Sequence, residues 1–352
     1  MTDGRYRDNR FRRRPGLRPC RVGYSVPMVS VGYFLSCEEF GPRELVRLAE
    51  LAEQAGFERF WISDHYHPWL RAQGHSPFVW SVIGALSQVT SLPISTAVTC
   101  PMIRIHPAII AQASATAAVQ CRGNFVLGVG TGEALNEHIL GDRWPPASVR
   151  RDMLREAVEM IRELHAGGEV THHGKHYTVE NAEVFTRPEQ PVPIYVSGFG
   201  PVAARLAGEI GDGFCCTVPS GELVRTFRDA GGGDKPAQAG MKVCWADTEE
   251  KAVATARRLW PTEGLPGVAQ TLPTPRDFEA ITQLVTEEMV GNAVVCGADP
   301  QRHLDRVGEY IDAGFDEIYV QQIGPDQEPF FEKWATEVLP HLAQRSLGKR
   351  HE

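Results

Sequence analysis

The chain has 352 residues, of which 42% are apolar, and its formal net charge is -8. This length and composition allow a large core, in one α/β barrel or in two domains. The negative charge argues against a general nucleic-acid or membrane-surface binder, and no run reaches the ~20 apolar residues of a membrane-spanning helix. We therefore expect neither a nucleic acid nor a membrane as partner.

The first 28 residues predict a basic, mobile arm. Residues 1–21 contain eight arginines against two aspartates, and such a segment cannot bury apolar surface. The run 12–14, Arg-Arg-Arg, loosely resembles a twin-arginine export signal. However, Pro27 and Ser30 interrupt the apolar residues that follow, and no small-residue cleavage site is obvious.

The eight cysteines form no CxxC pair, and their spacing suggests neither a disulfide framework nor a zinc site. Several lie in apolar runs, which is typical of small buried side chains. A reducing cytoplasm is the simplest setting for such a protein.

Strand-like and helix-like runs alternate through the first half of the chain. Strands are predicted at 31–35, 60–63, 94–99 and 125–128, and helices at 42–55, 78–87, 107–119 and 147–165. In the first helix, Leu45, Leu48 and Ala52 share one face, and Gly56 ends it.

The second half repeats this alternation. Strands are predicted at 193–196, 213–217, 242–245, 293–296 and 317–321, and helices at 201–210, 249–260, 300–313 and 328–342. Repeated β-α units predict parallel strands joined by right-handed crossovers. About eight of these strands belong to a barrel, which favours an α/β protein with a (β/α)8 TIM barrel over an open sheet.

Two segments interrupt the barrel pattern. Residues 170–184 predict a short hairpin, and the Pro-rich stretch at about 261–291 predicts an insertion on the carboxyl-terminal face, where long loops commonly close over ligands. The expected organisation is one barrel domain over 29–345, preceded by the arm 1–28 and followed by a tail at 346–352.

The first chemical motif follows the second strand. It places Asp64, His65, His67 and Trp69 at a strand's carboxyl end, which faces the ligand in parallel α/β proteins. A histidine there can act as a general base, with a neighbouring carboxylate to orient it. Alternatively, the polar residues simply cap the next loop. His65 and His67 lack a third ligand in evidence, which argues against a metal pair.

The second motif follows the fourth strand, where 128–137 read Gly-Val-Gly-Thr-Gly-Glu-Ala-Leu-Asn-Glu. Glycines let the backbone approach a ligand, and Glu133 sits in the turn. The spacing is not that of a Rossmann nucleotide site. Two polar strand ends in one chain suggest one shared site.

A third turn, Ser197 to Gly200, precedes a helix that begins at Pro201. Free N–H groups and the helix dipole suit a phosphate there, although an ordinary βα turn has the same pattern. The histidines at 172, 173 and 176 lie in the predicted hairpin and are interpreted as solvated rather than as metal ligands.

These motifs resemble the luciferase-like oxidoreductases that use the deazaflavin coenzyme F420, in particular relatives of F420-dependent glucose-6-phosphate dehydrogenase. The resemblance rests on 63–69, 128–137 and 211–214 (Gly-Asp-Gly-Phe), and it runs in order from about Val31 to Leu342. It implies a luciferase-like TIM barrel with F420 at the carboxyl ends of the strands. It also implies hydride transfer with an alcohol, sugar or carbonyl substrate, in a cytoplasmic enzyme that we expect to be a homodimer.

The resemblance also implies roles for individual residues. His65 would be the base on the substrate hydroxyl, Glu133 the proton donor to the reduced ring system, and Trp69 would line the reacting face. The expected cofactor-binding residues include a non-proline cis peptide at Ala97-Val98, and they are Asp64, Ala97, Val98, Thr131, Gly132, Asn136, Ser197, Gly198, Phe199 and Gly200.

The chain departs from the family at the substrate phosphate. The glucose-6-phosphate enzymes use two lysines and one arginine, for which this chain has Lys242, Gln270 and Ala293. One lysine is a poor phosphate clamp. We therefore expect another substrate, against an apolar insertion that contains Leu265, Pro266, Val268 and Leu272. The alternative activities are an FMN-dependent luciferase-like monooxygenase and a non-catalytic F420 carrier.

Overall fold

A computed structural model describes residues 29–265, 267 and 270–342. The predictions for the arm at 1–28, for the tail at 346–352, and for Pro266 and Val268 lie outside the described residues. The strands are β1 (Ser30–Leu35), β2 (Phe60–Ile62), β3 (Ile94–Thr96), β4 (Phe125–Val129), β5 (Val170–His173), β6 (Thr178–Ala182), β7 (Ile194–Ser197), β8 (Gly213–Cys216), β9 (Ala237–Cys244), β10 (Val295–Cys296) and β11 (Glu317–Gln322).

Helices alternate with the barrel strands, as the sequence predicted for all but the connection from β8 to β9. They are α1 (Pro42–Ala55), α2 (Val79–Val89), α3 (Pro107–Gln120), α4 (Ala134–Glu137), α5 (Ala147–Ala166), α6 (Pro201–Ile210), α7 (Gly221–Phe227), α8 (Glu249–Leu259), α9 (Pro275–Ile281), α10 (Glu287–Ala293), α11 (Pro300–Asp312) and α12 (Gln327–Lys333).

Eight parallel strands close into a barrel in the order β1-β2-β3-β4-β7-β8-β9-β11, and β11 pairs with β1. This arrangement confirms the predicted (β/α)8 TIM barrel. The strand β10 pairs with the end of β9 outside the barrel, and β5 and β6 form the predicted hairpin. Because every barrel strand is parallel, all eight carboxyl ends open on one face.

The barrel interior combines aromatic stacking with one buried polar network. Trp61 stacks on Tyr319 with ring centroids 4.6 Å apart, and its indole N–H donates to Gln238 Oε1 at 2.8 Å. Gln238 in turn donates to Glu317 and to the Tyr319 hydroxyl. These contacts fill the barrel below the carboxyl-terminal face.

Four elements differ from the sequence predictions. The strand β9 begins at Ala237, five positions before the predicted start at 242. The prediction missed its first residues because they are small and weakly apolar. The helix α7 was missed, and the 261–291 insertion contains two short helices, α9 and α10, that its weak periodicity did not reveal. In the described part of the chain, no helix has the length and apolar character needed to cross a membrane.

Candidate active site

A cavity of about 770 Å³ opens at the carboxyl ends of the barrel strands. Fourteen of the sixteen predicted site residues line it. They are Asp64, His65, Trp69, Ala97, Val98, Thr131, Gly132, Glu133, Asn136, Ser197, Phe199, Gly200, Lys242 and Gln270. The polar turns after β2 and β4 therefore meet at one site, as the sequence suggested.

Asp64 lies at the base of this cavity in a buried charge network. Its Oδ2 accepts from the Thr99 hydroxyl at 2.8 Å, and its Oδ1 accepts from Arg104 Nη2 at 2.9 Å. The backbone N–H of Arg104 donates to Glu137 at 2.8 Å, and its Nε lies 3.5 Å from the same carboxylate. Burial raises the pKa of Glu137, while Arg104 opposes that rise. One cation thus serves two carboxylates from different strand ends.

His65 lies between two carboxylates. Its Nδ1 is 3.4 Å from Glu38 Oε1, and its Nε2 is 3.9 Å from Glu133 Oε2. The Nδ1 atom is buried and makes no hydrogen bond. The His65 ring also meets the edge of Trp69, with centroids 5.2 Å apart.

Glu38 was missed by the sequence analysis, although it is buried beside the histidine. Its Oε2 accepts from the hydroxyls of Ser36 at 2.9 Å and Ser63 at 2.8 Å. Ser63 also accepts from the backbone N–H of Cys37 at 2.9 Å. These contacts hold the carboxylate in place while its other oxygen faces His65. In the sequence, Glu38 resembles an acidic residue that precedes a helix.

Asn136 joins the two loops that carry His65 and Glu133. Its side-chain oxygen accepts from the backbone N–H groups of Tyr66 at 2.9 Å and His67 at 3.2 Å, and its amide donates to Glu133 at 3.3 Å. His67 turns its Nδ1 to the carbonyl oxygen of Leu135, 3.0 Å away. His67 is therefore tied to the loop after β4.

The segment after β3 forms another wall of the cavity. The peptide bond between Ala97 and Val98 is cis, at the position that the family resemblance predicted. Both residues pack against a barrel cluster that contains Phe34, Trp61 and Cys215. The cavity therefore has an apolar floor next to the charged loops.

The turn before α6 leaves space at the helix N-terminus. No side chain caps this end, and a Cβ added at Gly200 would meet no atom within 4 Å. The first N–H groups of a helix lack intrahelical partners, so this end can receive an anion. Gly198, which was also predicted to contact the cofactor, is buried outside the cavity lining. A Cβ there would lie 2.9 Å from the backbone of Ala203.

The part of the cavity wall formed by β9 and the 261–291 insertion, called here the substrate end, contains two of the three predicted substrate residues, Lys242 and Gln270. Lys242 Nζ lies 2.9 Å from Glu263 Oε1 and 4.4 Å from the centroid of the Trp260 ring. Gln270 accepts from Arg150 at 3.1 Å. Ala293, which was predicted to face the substrate, is exposed at the end of α10 and lies outside the cavity lining.

Among the described residues, no group of three or more His, Cys, Asp or Glu side chains could hold a metal ion. In the hairpin, His172 instead lies 3.3 Å from Glu156 and His173 lies 3.7 Å from Glu180. The polar chemistry of the cavity therefore rests on carboxylates, His65 and the nearby cations.

The fold and motifs match known proteins over most of the chain. The family model for luciferase-like monooxygenases matches residues 22–317. The F420-dependent glucose-6-phosphate dehydrogenase of Microbacterium testaceum is 36% identical over 327 residues, which cover 89% of this chain and 97% of that protein. The corresponding enzyme of Nakamurella multipartita is 37% identical over 332 residues, which cover 90% and 97%.

A solved structure shows a similar relationship. An F420-dependent secondary alcohol dehydrogenase in complex with an F420-acetone adduct superposes with a TM-score of 0.83 at 30% identity, covering 89% of this chain and 99% of that one. This structure and the two dehydrogenases confirm the resemblance seen in the sequence. The chain belongs to the luciferase-like family and, within it, to the F420-dependent oxidoreductases.

Proposed function

We propose that this protein uses coenzyme F420 to oxidise a neutral alcohol, or to reduce the corresponding carbonyl compound, and that glucose 6-phosphate is not its substrate. The observation that carries the proposal is the position of His65. This residue lies in the cavity between Glu38 and Glu133 and against Trp69, where it can exchange a proton with a bound hydroxyl group.

The residues present fit a flat coenzyme with a phosphate-bearing tail. Ala97, Val98 and Phe34 supply an apolar surface for a ring, and the open N-terminus of α6 supplies N–H groups for an anion. His65 also lines this cavity, with its Nδ1 turned to Glu38. When bound, F420 would supply the acceptor or donor of the hydride.

His65 is proposed as the general base in alcohol oxidation. Its Nε2 would take the hydroxyl proton while Glu38, fixed by two serine hydroxyls, stabilises the resulting imidazolium from the Nδ1 side. In carbonyl reduction the same proton returns to the substrate oxygen. Glu133, oriented by Asn136, is proposed to move the second proton at the coenzyme side of the cavity.

The electrostatics of the substrate end argue against a phosphorylated sugar. Lys242 is already paired with Glu263, so an incoming phosphate would meet a carboxylate beside its only predicted cationic ligand. Gln270 is neutral and Ala293 lies outside the cavity lining. Besides Lys242, the described cations of the lining are Arg150, which donates to Gln270 and to the Pro145 carbonyl, and Arg151. Losing two charge-assisted contacts, each worth about 1.5 to 3 kcal/mol, would weaken phosphate binding by at least two orders of magnitude.

The apolar groups at this end favour a neutral substrate. Trp69 and Leu265 pack against a hydrophobic cluster that includes Trp260, and all three side chains line the cavity. Such a surface suits the carbon skeleton of a secondary alcohol or ketone, while His65 supplies the polar contact at its oxygen.

The test is an absorbance assay of F420 reduction over secondary alcohols, free sugars and sugar phosphates. We expect turnover with at least one neutral alcohol and weak or no turnover with glucose 6-phosphate. Efficient oxidation of glucose 6-phosphate at micromolar KM would contradict the substrate proposal. Binding of FMN at micromolar Kd with no binding of F420 would contradict the cofactor and favour the monooxygenase alternative.

The family resemblance also leads us to propose a cytoplasmic homodimer. Light scattering of the purified full chain would measure the mass directly against the 38.9 kDa of one chain. A monomer at micromolar concentration would contradict the dimer and leave the catalytic proposal intact.

A further inference from the structure

Another carboxylate, that of Glu39, lies behind the substrate end of the cavity. Its Oε1 accepts from the indole N–H of Trp260 at 2.5 Å and from the Gln321 amide at 3.0 Å. Its Oε2 accepts from the backbone N–H of Gly324 at 2.8 Å. Trp260 and Gln321 line the cavity, whereas Glu39 does not. Glu39 can therefore influence a ligand only through the residues that it holds.

These contacts connect three distant parts of the chain. Glu39 follows β1, Gln321 lies in β11, and Trp260 comes directly after α8, where the 261–291 insertion begins. The carboxylate is thus the point at which the start of the insertion is fixed to two barrel strands.

The surroundings of Glu39 favour a hydrogen-bond acceptor at this position. Three N–H donors converge on one carboxylate, which compensates part of the cost of burying it. Burial still raises the pKa of Glu39 to about 7. The other atom of the Gln321 amide, Oε1, is buried without a partner, so this amide satisfies Glu39 at the expense of its own oxygen.

Trp260 is the residue through which Glu39 can affect the cavity. Its ring lies 4.4 Å from Lys242 Nζ and belongs to the cluster against which Leu265 and Trp69 pack. Trp69 in turn contacts the His65 ring. A change in the orientation of Trp260 would therefore alter the wall that faces a substrate near His65.

We propose that Glu39 is a positioning residue that fixes Trp260 as the wall of the substrate pocket and thereby sets the affinity for the substrate. This inference rests on the proposed function for its substrate, an uncharged alcohol. Glu39 makes no contact with the reacting atoms and takes no part in the proton transfer assigned to His65.

The variants separate the hydrogen bond from the packing. Glu39→Leu removes the acceptor, whereas Glu39→Gln retains an oxygen that can accept from Trp260. Trp260→Phe keeps an aromatic ring but removes the indole N–H. If Glu39 acts through Trp260, the effects of Glu39→Leu and Trp260→Phe will not add in the double variant.

Two measurements on the full chain decide the proposal. The indole N–H resonance of Trp260 in ¹⁵N-labelled protein, assigned with Trp260→Phe, should shift in Glu39→Leu and remain near the wild-type position in Glu39→Gln. With cyclohexanol as probe, KM should rise roughly tenfold in Glu39→Leu, the equivalent of about one hydrogen bond, while kcat and the F420 Kd change less than about threefold.

An unchanged indole resonance in Glu39→Leu would overturn the proposal, and so would an unchanged KM for cyclohexanol. A fall in kcat with constant KM would also overturn it, because Glu39 would then act on the chemical step. Failure of the wild-type protein to bind F420 would instead defeat the proposed function, and the indole resonance would still decide whether Glu39 holds Trp260.

Discussion

At the end of the cavity formed by the loops after β2 and β4, the ion pairs of Arg104 are almost completely buried. The side chains of Asp64, Arg104 and Glu137 are 1%, 6% and 0% exposed. At the opposite end, where the 261–291 insertion meets β9, Lys242 is 14% and Glu263 is 31% exposed. The charges of Asp64, Arg104 and Glu137 are buried and paired with one another, whereas those of Lys242 and Glu263 remain accessible to water and ligands.

The difference in exposure suits the two sets of charges to different tasks. Buried charges with several partners keep a fixed geometry, which suits proton transfer and the orientation of a coenzyme. A partly exposed pair costs little to rearrange, since its net stabilisation is small. We therefore expect substitutions at the first end to affect catalysis and stability strongly, and those at the second end to affect mainly substrate preference.

The largest effect is expected for His65→Ala. Removing the proposed base should lower kcat by roughly 10² to 10⁴ with little change in F420 affinity, the usual scale for loss of general acid–base catalysis. Steady-state kinetics and F420 fluorescence titration measure the two quantities. His173→Ala, on the exposed hairpin, is the matched control. Near-normal turnover in His65→Ala would show that another group takes the proton.

The next largest effect is expected for Arg104→Met. It would leave Asp64 and Glu137 buried without their shared cation, at a cost of about 3 to 5 kcal/mol in the free energy of unfolding. Denaturant titration measures this cost. Arg47→Met, which removes a cation from pairs that are about half exposed, should cost no more than about 1 kcal/mol. Equal losses in the two variants would erase the distinction between buried and exposed pairs.

A pH-dependent effect of intermediate size is expected at Glu39. Its pKa in the folded protein is raised to about 7 by burial, above the ordinary 4.5. The folded state therefore holds this proton more tightly, and the stability that Glu39 contributes is present at low pH and lost as pH rises from about 4.5 through 7. Glu39→Gln does not titrate.

The free energy of unfolding of Glu39→Gln relative to the wild type should thus increase by on the order of 2 kcal/mol between pH 5 and pH 8. Because the other ionisable groups are common to both proteins, the comparison isolates Glu39. A constant difference across this range would mean that its three N–H donors fully compensate the burial.

The same contrast explains what the sequence could predict. Asp64, His65 and Glu133 stand in short motifs at strand ends, and parallel strands bring such ends together, so their proximity followed from the pattern. Glu38 and Arg104 complete that end of the cavity but carry no local signal. Each resembles an ordinary surface charge until the folded structure reveals its partners.

The part of the cavity formed by the 261–291 insertion was harder to predict, for a physical reason. The bond between Glu39 and Trp260 joins positions 221 residues apart, and the pair of Lys242 and Glu263 depends on where the insertion turns. No periodicity determines such contacts. The position of Ala293 outside the cavity lining has the same cause, because a small shift within an insertion moves a residue out of the cavity.

The smallest effect, and the most informative for substrate choice, is expected for Glu263→Gln. It would free Lys242 from its carboxylate and so strengthen inhibition by inorganic phosphate by up to about fivefold, in keeping with the small energy of a partly exposed pair. Turnover of a neutral alcohol should change little, because neither side chain contacts His65. Lys242→Met in the same background should remove the gain. If phosphate inhibits the wild type and Glu263→Gln equally, Glu263 does not compete with anions for Lys242, and the proposed exclusion of sugar phosphates would then need another cause, such as the shape of the pocket.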